Sequence, residues 1–319
     1  MSQTTLVPPQ TRRIAIGVEY LGSSFNGWQF QGHNTNTIQN HVQNALGFVA
    51  NEPIKLHYSG RTDSGVHALE QVCHFDTQAL RTPFSWRQGV NSQLPRDVRV
   101  RWAEEVSMDF HSRYTTSFRD YIYLIDSTPV ASAIFRQQMT WCRQVLDLEA
   151  MQEAATYFKG EHDFSAFRAT GCQAKHPVRR MLEVDLWQKG NILAYAVRGN
   201  AFLYHMVRNM VGSLLIIGRG EQKPQWIKEL LQQKNRHKAG ATAAADGLYL
   251  RAIHYPVDIA PKAQSQRQVL SPFGLFDDEL KAWPKRYDWY KRPPRPPRPQ
   301  NNEETHNAHS APKNTKTLD

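Results

Sequence analysis

The chain has 319 residues, 40% of them hydrophobic and 21% charged, and 39 Lys and Arg against 29 Asp and Glu leave a formal charge of +10. These proportions fit a soluble globular protein of one or two domains and exclude collagen, a long coiled coil and wholesale disorder. The basic excess points to a polyanionic partner, nucleic acid ahead of membrane. Cys73, Cys142 and Cys172 form no CxxC pair, which argues against a disulfide scaffold or zinc ribbon and suits a reducing cytoplasm. The N-terminal Met1–Arg13 is polar and lacks the apolar core of a signal peptide. The most apolar stretch, Met206–Ile217, is interrupted by Arg208 and Asn209 and is too short to span a membrane.

Residues 1–11 read as a flexible N-terminus. The alternation of Ile14, Ile16, Val18 and Tyr20 predicts a strand, and Ile38, Val42, Leu46 and Val49 fall on one face of a helix. A strand is expected at Ile54–Tyr58, followed by a polar loop and a second strand in LEQVCHF. VRVRWAEEV, SFRDYIYLID, MLEVDLWQ, NILAYAVRG and GLYLRAIHY also read as strands, with Lys189-Gly190-Asn191 as a hairpin turn. Between them lie three helical stretches. The first runs from a cap at Asp147 to a stop at Gly160, the second covers YHMVRNMVGSLLIIGRG, and the third begins near Pro224. This order predicts an α+β protein in which two α/β halves, 12–110 and 111–256, share a mainly antiparallel mixed sheet with flanking helices. No glycine-rich phosphate loop follows a strand, so a nucleotide cofactor is not expected. Residues 257–290 form an extension. The tail 291–319 holds six of the 18 prolines and a charge of +3, and its composition predicts disorder.

The sharpest local signal is SGRTDSGVHA, Ser59–Ala68, which joins two strands. Gly60 and Gly65 permit unusual backbone angles around Arg61, Thr62, Asp63 and Ser64. Its plainest reading is a polar hairpin turn; a reactive Asp63, or an Asp63 and His67 pair, is the other. A single Asp and His with no third ligand nearby is thin support for a metal.

GRTDSGVHA closely resembles the catalytic motif of pseudouridine synthases, in particular the tRNA pseudouridine synthase A family. YLGSSFNGWQFQ, GVNSQLPRDVRV, FHSRYTTSFRDYIYLI, HDFSAFRA and FLYHMVRNMVG resemble that family in the same order, so the likeness runs over residues 12–255. It implies the pseudouridine synthase fold and isomerisation of uridine to pseudouridine at positions 38–40 of the tRNA anticodon stem-loop, without metal or cofactor, by a cytoplasmic homodimer. By the same resemblance Asp63 is the nucleophile, attacking ribose C1′ or uracil C6 or initiating glycal formation. Arg208 is its ion-pair partner, Tyr121 stacks on the target base and handles the C5 proton, and Arg61 fills the space of the flipped nucleotide.

The Arg208 assignment also has a reason in the residues alone, because a charge among Tyr204, Val211 and Leu215 needs a partner. Tyr121 and Tyr123 share a strand face, so periodicity does not choose between them. Arg113, Arg119, Arg168, Lys175, Arg179 and Arg180 are candidate RNA phosphate contacts. His162, His205 and Trp28 are given no chemical role. Alanines in GATAAADGLYL, where the family commonly has prolines, put the rigidity of that loop in question. The rival reading is a non-catalytic RNA-binding protein or RNA chaperone. A metal-dependent nuclease would need a metal cluster, and the sequence offers none.

Overall fold

Both faces of the first strand, Arg12–Tyr20 (β1), are covered, so its alternation is only half of its pattern: Ile14, Ala15, Ile16 and Val18 are all buried. The computed structural model describes residues 10–30, 32, 35–266 and 271–284. The expectations for residues 1–9 and for the 291–319 tail lie outside the described residues. The remaining strands are β2 (His57–Tyr58), β3 (His67–Thr77), β4 (Val98–Val106), β5 (Phe118–Asp126), β6 (Thr140–Trp141), β7 (Gly160–Asp163), β8 (Val178–Lys189), β9 (Ile192–Gly199) and β10 (Leu248–His254). They join in one sheet of order β4-β1-β3-β10-β5-β9-β8-β7, with β2 added on β3 and β6 on β5. All pairings are antiparallel except β10 with β3 and β5 with β6, which gives the mainly antiparallel mixed sheet expected. The central β3–β10 seam is short, pairing His67 with Tyr249 and Ala68 with Leu250.

The helices are α1 (Ile38–Ala50), α2 (Pro83–Gln93), α3 (Leu148–Thr156), α4 (Met206–Gly218), α5 (Trp226–Gln233), α6 (Lys262–Gln266) and α7 (Asp277–Lys281). The main core joins α1 through α5 to the sheet, including Tyr121, Tyr123 and Ile125 of β5. The opposite face of β5, with Ile122 and Leu124, packs under Phe276, Leu280 and Trp283. The segment 271–284 is therefore part of the folded body and covers the reverse face of the sheet. Among the described residues no helix is long and apolar enough to cross a membrane.

Several local expectations need correction. Only His57 and Tyr58 of the strand expected at Ile54–Tyr58 enter the ladder; Ile54 and Leu56 are buried in the main core ahead of it. Asp147 caps α3 by accepting a hydrogen bond from the Ala150 N–H at 2.9 Å, but the helix ends at Thr156, and Gly160, at φ +105°, opens β7 instead. Helix α2 was not anticipated. Thr82 caps it and Pro83 starts it, yet it buries only Trp86 and Val90, too few apolar residues for a clear period.

Candidate active site

Asp63 sits in the turn between β2 and β3, at the end of the sheet where the β3–β10 seam begins. Gly65 takes φ +80°, and the Val66 N–H closes the turn on the Asp63 carbonyl at 3.2 Å. The 20–30 segment buttresses this turn. Trp28 N–H donates to the Thr62 carbonyl at 3.1 Å, Ser64 Oγ donates to the Phe25 carbonyl at 3.1 Å, and Tyr20 Oη pairs with Thr62 Oγ1 at 2.8 Å. Contact is close enough to require glycine: a Cβ on Gly22 would stand 2.0 Å from the Val66 oxygen, and one on Gly27 2.9 Å from that of Thr62.

His67 serves the same scaffold. Its Nδ1 accepts the Gly22 N–H at 2.9 Å, which leaves Nε2 as the donor to the Asp246 carbonyl at 3.0 Å. With both ring nitrogens committed and burial lowering its pKa, it ties the turn to the segment before β10.

Arg208 reaches Asp63 from α4. Its Nη1 lies 3.3 Å from Asp63 Oδ2, and its Nε donates to the Ala243 carbonyl at 2.8 Å. The partner loop is well held despite its alanines. Ala243 N–H donates back to the Arg208 carbonyl at 3.1 Å, and Gly240 N–H donates to Ser213 Oγ at 3.0 Å. Tyr123 Oη donates to the Ala244 carbonyl at 2.8 Å, so of the two tyrosines on this face Tyr123 is committed to structure. Tyr121 instead borders a cavity of about 580 Å³ that also takes in Asp63. Its ring meets Phe202 edge-on at 4.8 Å. Burial pushes its pKa up to about 12, against the nearby Arg119 cation and with Asp63 adding to the rise, so the phenol is neutral at physiological pH.

The charged residues lining the cavity are Arg61, Arg113, Arg119 and Arg179 against Asp63 alone. Arg61 donates to Gln29 Oε1 at 3.4 Å and lies over the Tyr204 ring at 5.7 Å. Arg119 donates to the Ser59 carbonyl at 2.8 Å, and Arg179 to the Val178 carbonyl at 2.6 Å. Arg168 is turned to structural work, donating to the Cys172 and Ala174 carbonyls at 2.8 and 2.9 Å. Lys175 and Arg180 are exposed and do not line the cavity. Sequence reasoning passed over His205, whose Nε2 stands 3.3 Å from Asp63 Oδ2.

Among the described residues one group has the composition of a metal site, His57, His74 and His111. Its geometry does not suit one. His57 and His74 are stacked at 18°, so their in-plane lone pairs do not converge. His74 Nδ1 accepts the Ser112 N–H and His111 Nδ1 accepts the Arg113 and Tyr114 N–H groups, all at 3.2 Å. Metal-bound histidines ordinarily donate from that second nitrogen. The cluster does have a stability signature. Burial, with His111, His57 and Arg13 beside it, lowers the His74 pKa to about 3. Unfolded, the ring takes a proton near pH 6.5. Stability is therefore full above that pH and falls as pH drops toward 3, by at most about 1.4 kcal/mol per pH unit from this group. Urea unfolding at pH 7, 5.5 and 4.5 is expected to show a shallower loss for His74→Gln than for the wild type.

An ion-paired carboxylate, a neutral aromatic wall and a rim of arginines thus meet at one cavity. Comparison with known proteins makes this specific. The sequence profile described as tRNA pseudouridine synthase matches residues 16–115 and 154–256. The chain is 47% identical over 244 residues to tRNA pseudouridine synthase A of Methylococcus capsulatus, covering 76% of this chain and 90% of that one. It is 48% identical over 265 residues to the enzyme of the same name from Shewanella woodyi, covering 83% of this chain and 100% of that one. It is 45% identical over 246 residues to that of Aliivibrio fischeri, covering 77% and 94%. The chain belongs to the tRNA pseudouridine synthase A family. It is thereby an isomerase, converting uridine to pseudouridine.

Proposed function

We propose that the protein isomerises uridines at positions 38–40 of the tRNA anticodon stem-loop, with Asp63 as the nucleophile. The observation that carries this reading is the Asp63–Arg208 pair, with Asp63 lining a cavity whose other charges are arginines. The guanidinium beside the partly buried carboxylate supplies the opposite charge that such a group needs. In the reaction the N1–C1′ bond breaks, uracil turns, C5 bonds to C1′, the C5 proton leaves and N1 takes up a proton, so substrate and product are isomers. Asp63 supplies the electron pair for a bond to C1′ or to uracil C6, and that bond later breaks to free the carboxylate. Alternatively it initiates glycal formation.

The target base must leave the stack to reach the carboxylate. Tyr121 offers a neutral ring on which the uracil stacks, and Arg61 occupies the space that the base leaves. Arg113, Arg119 and Arg179 contact phosphates at the cavity, with Lys175 and Arg180 on the approach to it. Phosphate contacts of this kind position the RNA, and its shape and flexibility select the site. The halves 12–110 and 111–256 supply Asp63 and Arg208 respectively, and the protein acts in the cytoplasm as a homodimer. Family likeness supports these last two points, and the unpaired Cys73, Cys142 and Cys172 are consistent with a reducing compartment.

The test is tritium release from an anticodon stem-loop labelled at uridine C5. One tritium per uridine at 38–40 is expected, and none once those positions are cytidine. Release confined to uridines elsewhere would refute the positions, and no release from any tRNA would refute the isomerase reading.

A further inference from the structure

His205 combines two features that the account of Asp63 and Arg208 leaves unused. The first is its backbone. At φ 58° and ψ 8° it is left-handed, directly before the first residue of α4. Among the described residues the other left-handed non-glycines include Asn51 and Lys234, which end helices, where this conformation is ordinary. A left-handed residue with a Cβ at a helix start is disfavoured and persists where the surroundings impose it. Here it turns the chain sharply from Tyr204 into the helix, with the Asn209 N–H bonding back to the His205 carbonyl at 2.9 Å.

The second feature is where the side chain goes. Its Nε2 lies 3.3 Å from Asp63 Oδ2, the same oxygen that Arg208 Nη1 approaches at 3.3 Å. Arg208 is three residues further on, so one turn of chain delivers both groups to one carboxylate oxygen. Among the described residues Oδ1 accepts no hydrogen bond. The ring is held from behind by Tyr204, 3.9 Å away between centroids, and Tyr204 lies under Arg61 at 5.7 Å.

The charge state suits a donor rather than a second cation. Burial disfavours the imidazolium; Asp63 favours it, while Arg208, Arg236 and Arg61 oppose it, and the balance lowers the pKa. A carboxylate only accepts hydrogen bonds, so the neutral ring carries its proton on Nε2. Two cations on one carboxylate would stabilise it in the ground state and blunt it as a nucleophile, whereas a neutral donor fixes its plane at less expense of reactivity.

We infer that His205 is a positioning residue for Asp63, its Nε2–H and Arg208 together holding Oδ2 so that Oδ1 is the oxygen that meets the substrate carbon. This rests on Asp63 being the reacting group. In the free protein the contact is not aligned as a hydrogen bond, and it tightens when the nucleotide enters, as contacts of catalytic groups commonly do.

The experiment compares His205→Gly, His205→Gln and Asp63→Asn by single-turnover tritium release from C5-labelled tRNA, tRNA affinity and thermal unfolding. Glycine accepts the left-handed backbone without penalty and removes the donor, so its Tm is expected to match or exceed wild type. Its Kd for tRNA stays within about threefold while its rate falls about 10- to 100-fold, the range for one hydrogen bond to a charged group. Glutamine restores an N–H donor of similar reach and is expected to recover about tenfold of that loss. A glycine variant with the wild-type rate overturns the inference, as does weakened binding at an unchanged rate, or a stable glutamine variant no faster than glycine. If the glycine variant fails to fold, His205→Asn, which tolerates the same backbone, replaces it in the same comparison. An active Asp63→Asn would instead remove the reading of Asp63 itself. An inactive Asp63→Asn beside a full-speed His205→Gly would remove only the role of His205.

Discussion

Asp63→Asn is expected to lower pseudouridine formation by at least about 10⁴-fold while tRNA affinity stays within a few-fold of wild type. Asparagine is nearly isosteric and keeps a carbonyl oxygen toward Arg208, so the turn survives. Its backbone contacts, including the Val66 N–H on the residue 63 carbonyl, do not involve the side chain. Arg208 keeps its bond to the Ala243 carbonyl at 2.8 Å and is not stranded. What disappears is the charge and, on the proposed role of Asp63, the nucleophile. On the proposed reading binding draws on Arg61, Arg113, Arg119 and Arg179 at the cavity, which the substitution leaves in place. Tritium release and filter binding on the same preparation check both halves of the expectation. Full product formation by the variant would refute Asp63 as the nucleophile.

Asp120→Ala is expected to cost about 3–5 kcal/mol of stability, lowering Tm by roughly 6–20 °C for a chain of this size. Asp120 neighbours Tyr121 on β5 but points to the reverse face, where it is fully buried. Arg198 clasps it through Nε and Nη2, both at 2.7 Å, with Arg251 Nη1 at 3.0 Å and His254 Nε2 at 2.9 Å. Burial alone would raise its pKa, yet His254 and Arg198 outweigh that and hold it well below the usual carboxylate range. Removing the carboxylate takes the shared anion away from the buried Arg198 and the partly buried Arg251. The same depression fixes the sign of the pH effect. The contribution is complete above the unfolded value of about 4 and is lost as pH falls toward the folded one, so the stability difference between wild type and variant shrinks in acid. Thermal unfolding at pH 7 and pH 3 measures both. An equal Tm for the two proteins at pH 7 would contradict the buried network.

The parts of the fold that could be read in advance are those with a strong period or a sharp punctuation mark. Ile14 to Tyr20 alternate, α4 is apolar almost throughout, and Gly190 with Asn191 makes the two-residue turn between β8 and β9. Helix α2 was hidden because Gly89 and six polar side chains surround Trp86 and Val90. The two-residue strand β2 and the four-residue β7 are set by the edge they join and not by their own residues. In the site, Asp63 announced itself through its glycine-flanked loop, and Arg208 as a charge in an apolar helix. His205 carried no such mark. Left-handed backbone is signalled by glycine or asparagine, and a histidine beside a helix start looks like any other. The one available hint was its spacing, three residues before Arg208.

The short parallel seam between β3 and β10 also has a consequence for how the protein is made. It joins positions 67–68 to positions 249–250, and the loop carrying Asp63 leads directly into it. Contacts between such distant parts of a chain form late, because the entropy of closing the intervening loop must be met first. A nascent chain leaving the ribosome can assemble β1, β3 and β4 with α1 and α2 early, since those contacts are all within residues 12–106. Arg208 and the loop that holds it come more than 100 residues later. Asp63 thus emerges among the first elements and lacks its Arg208 contact until nearly the last strand is in place, so a truncated product carries the motif without that pair.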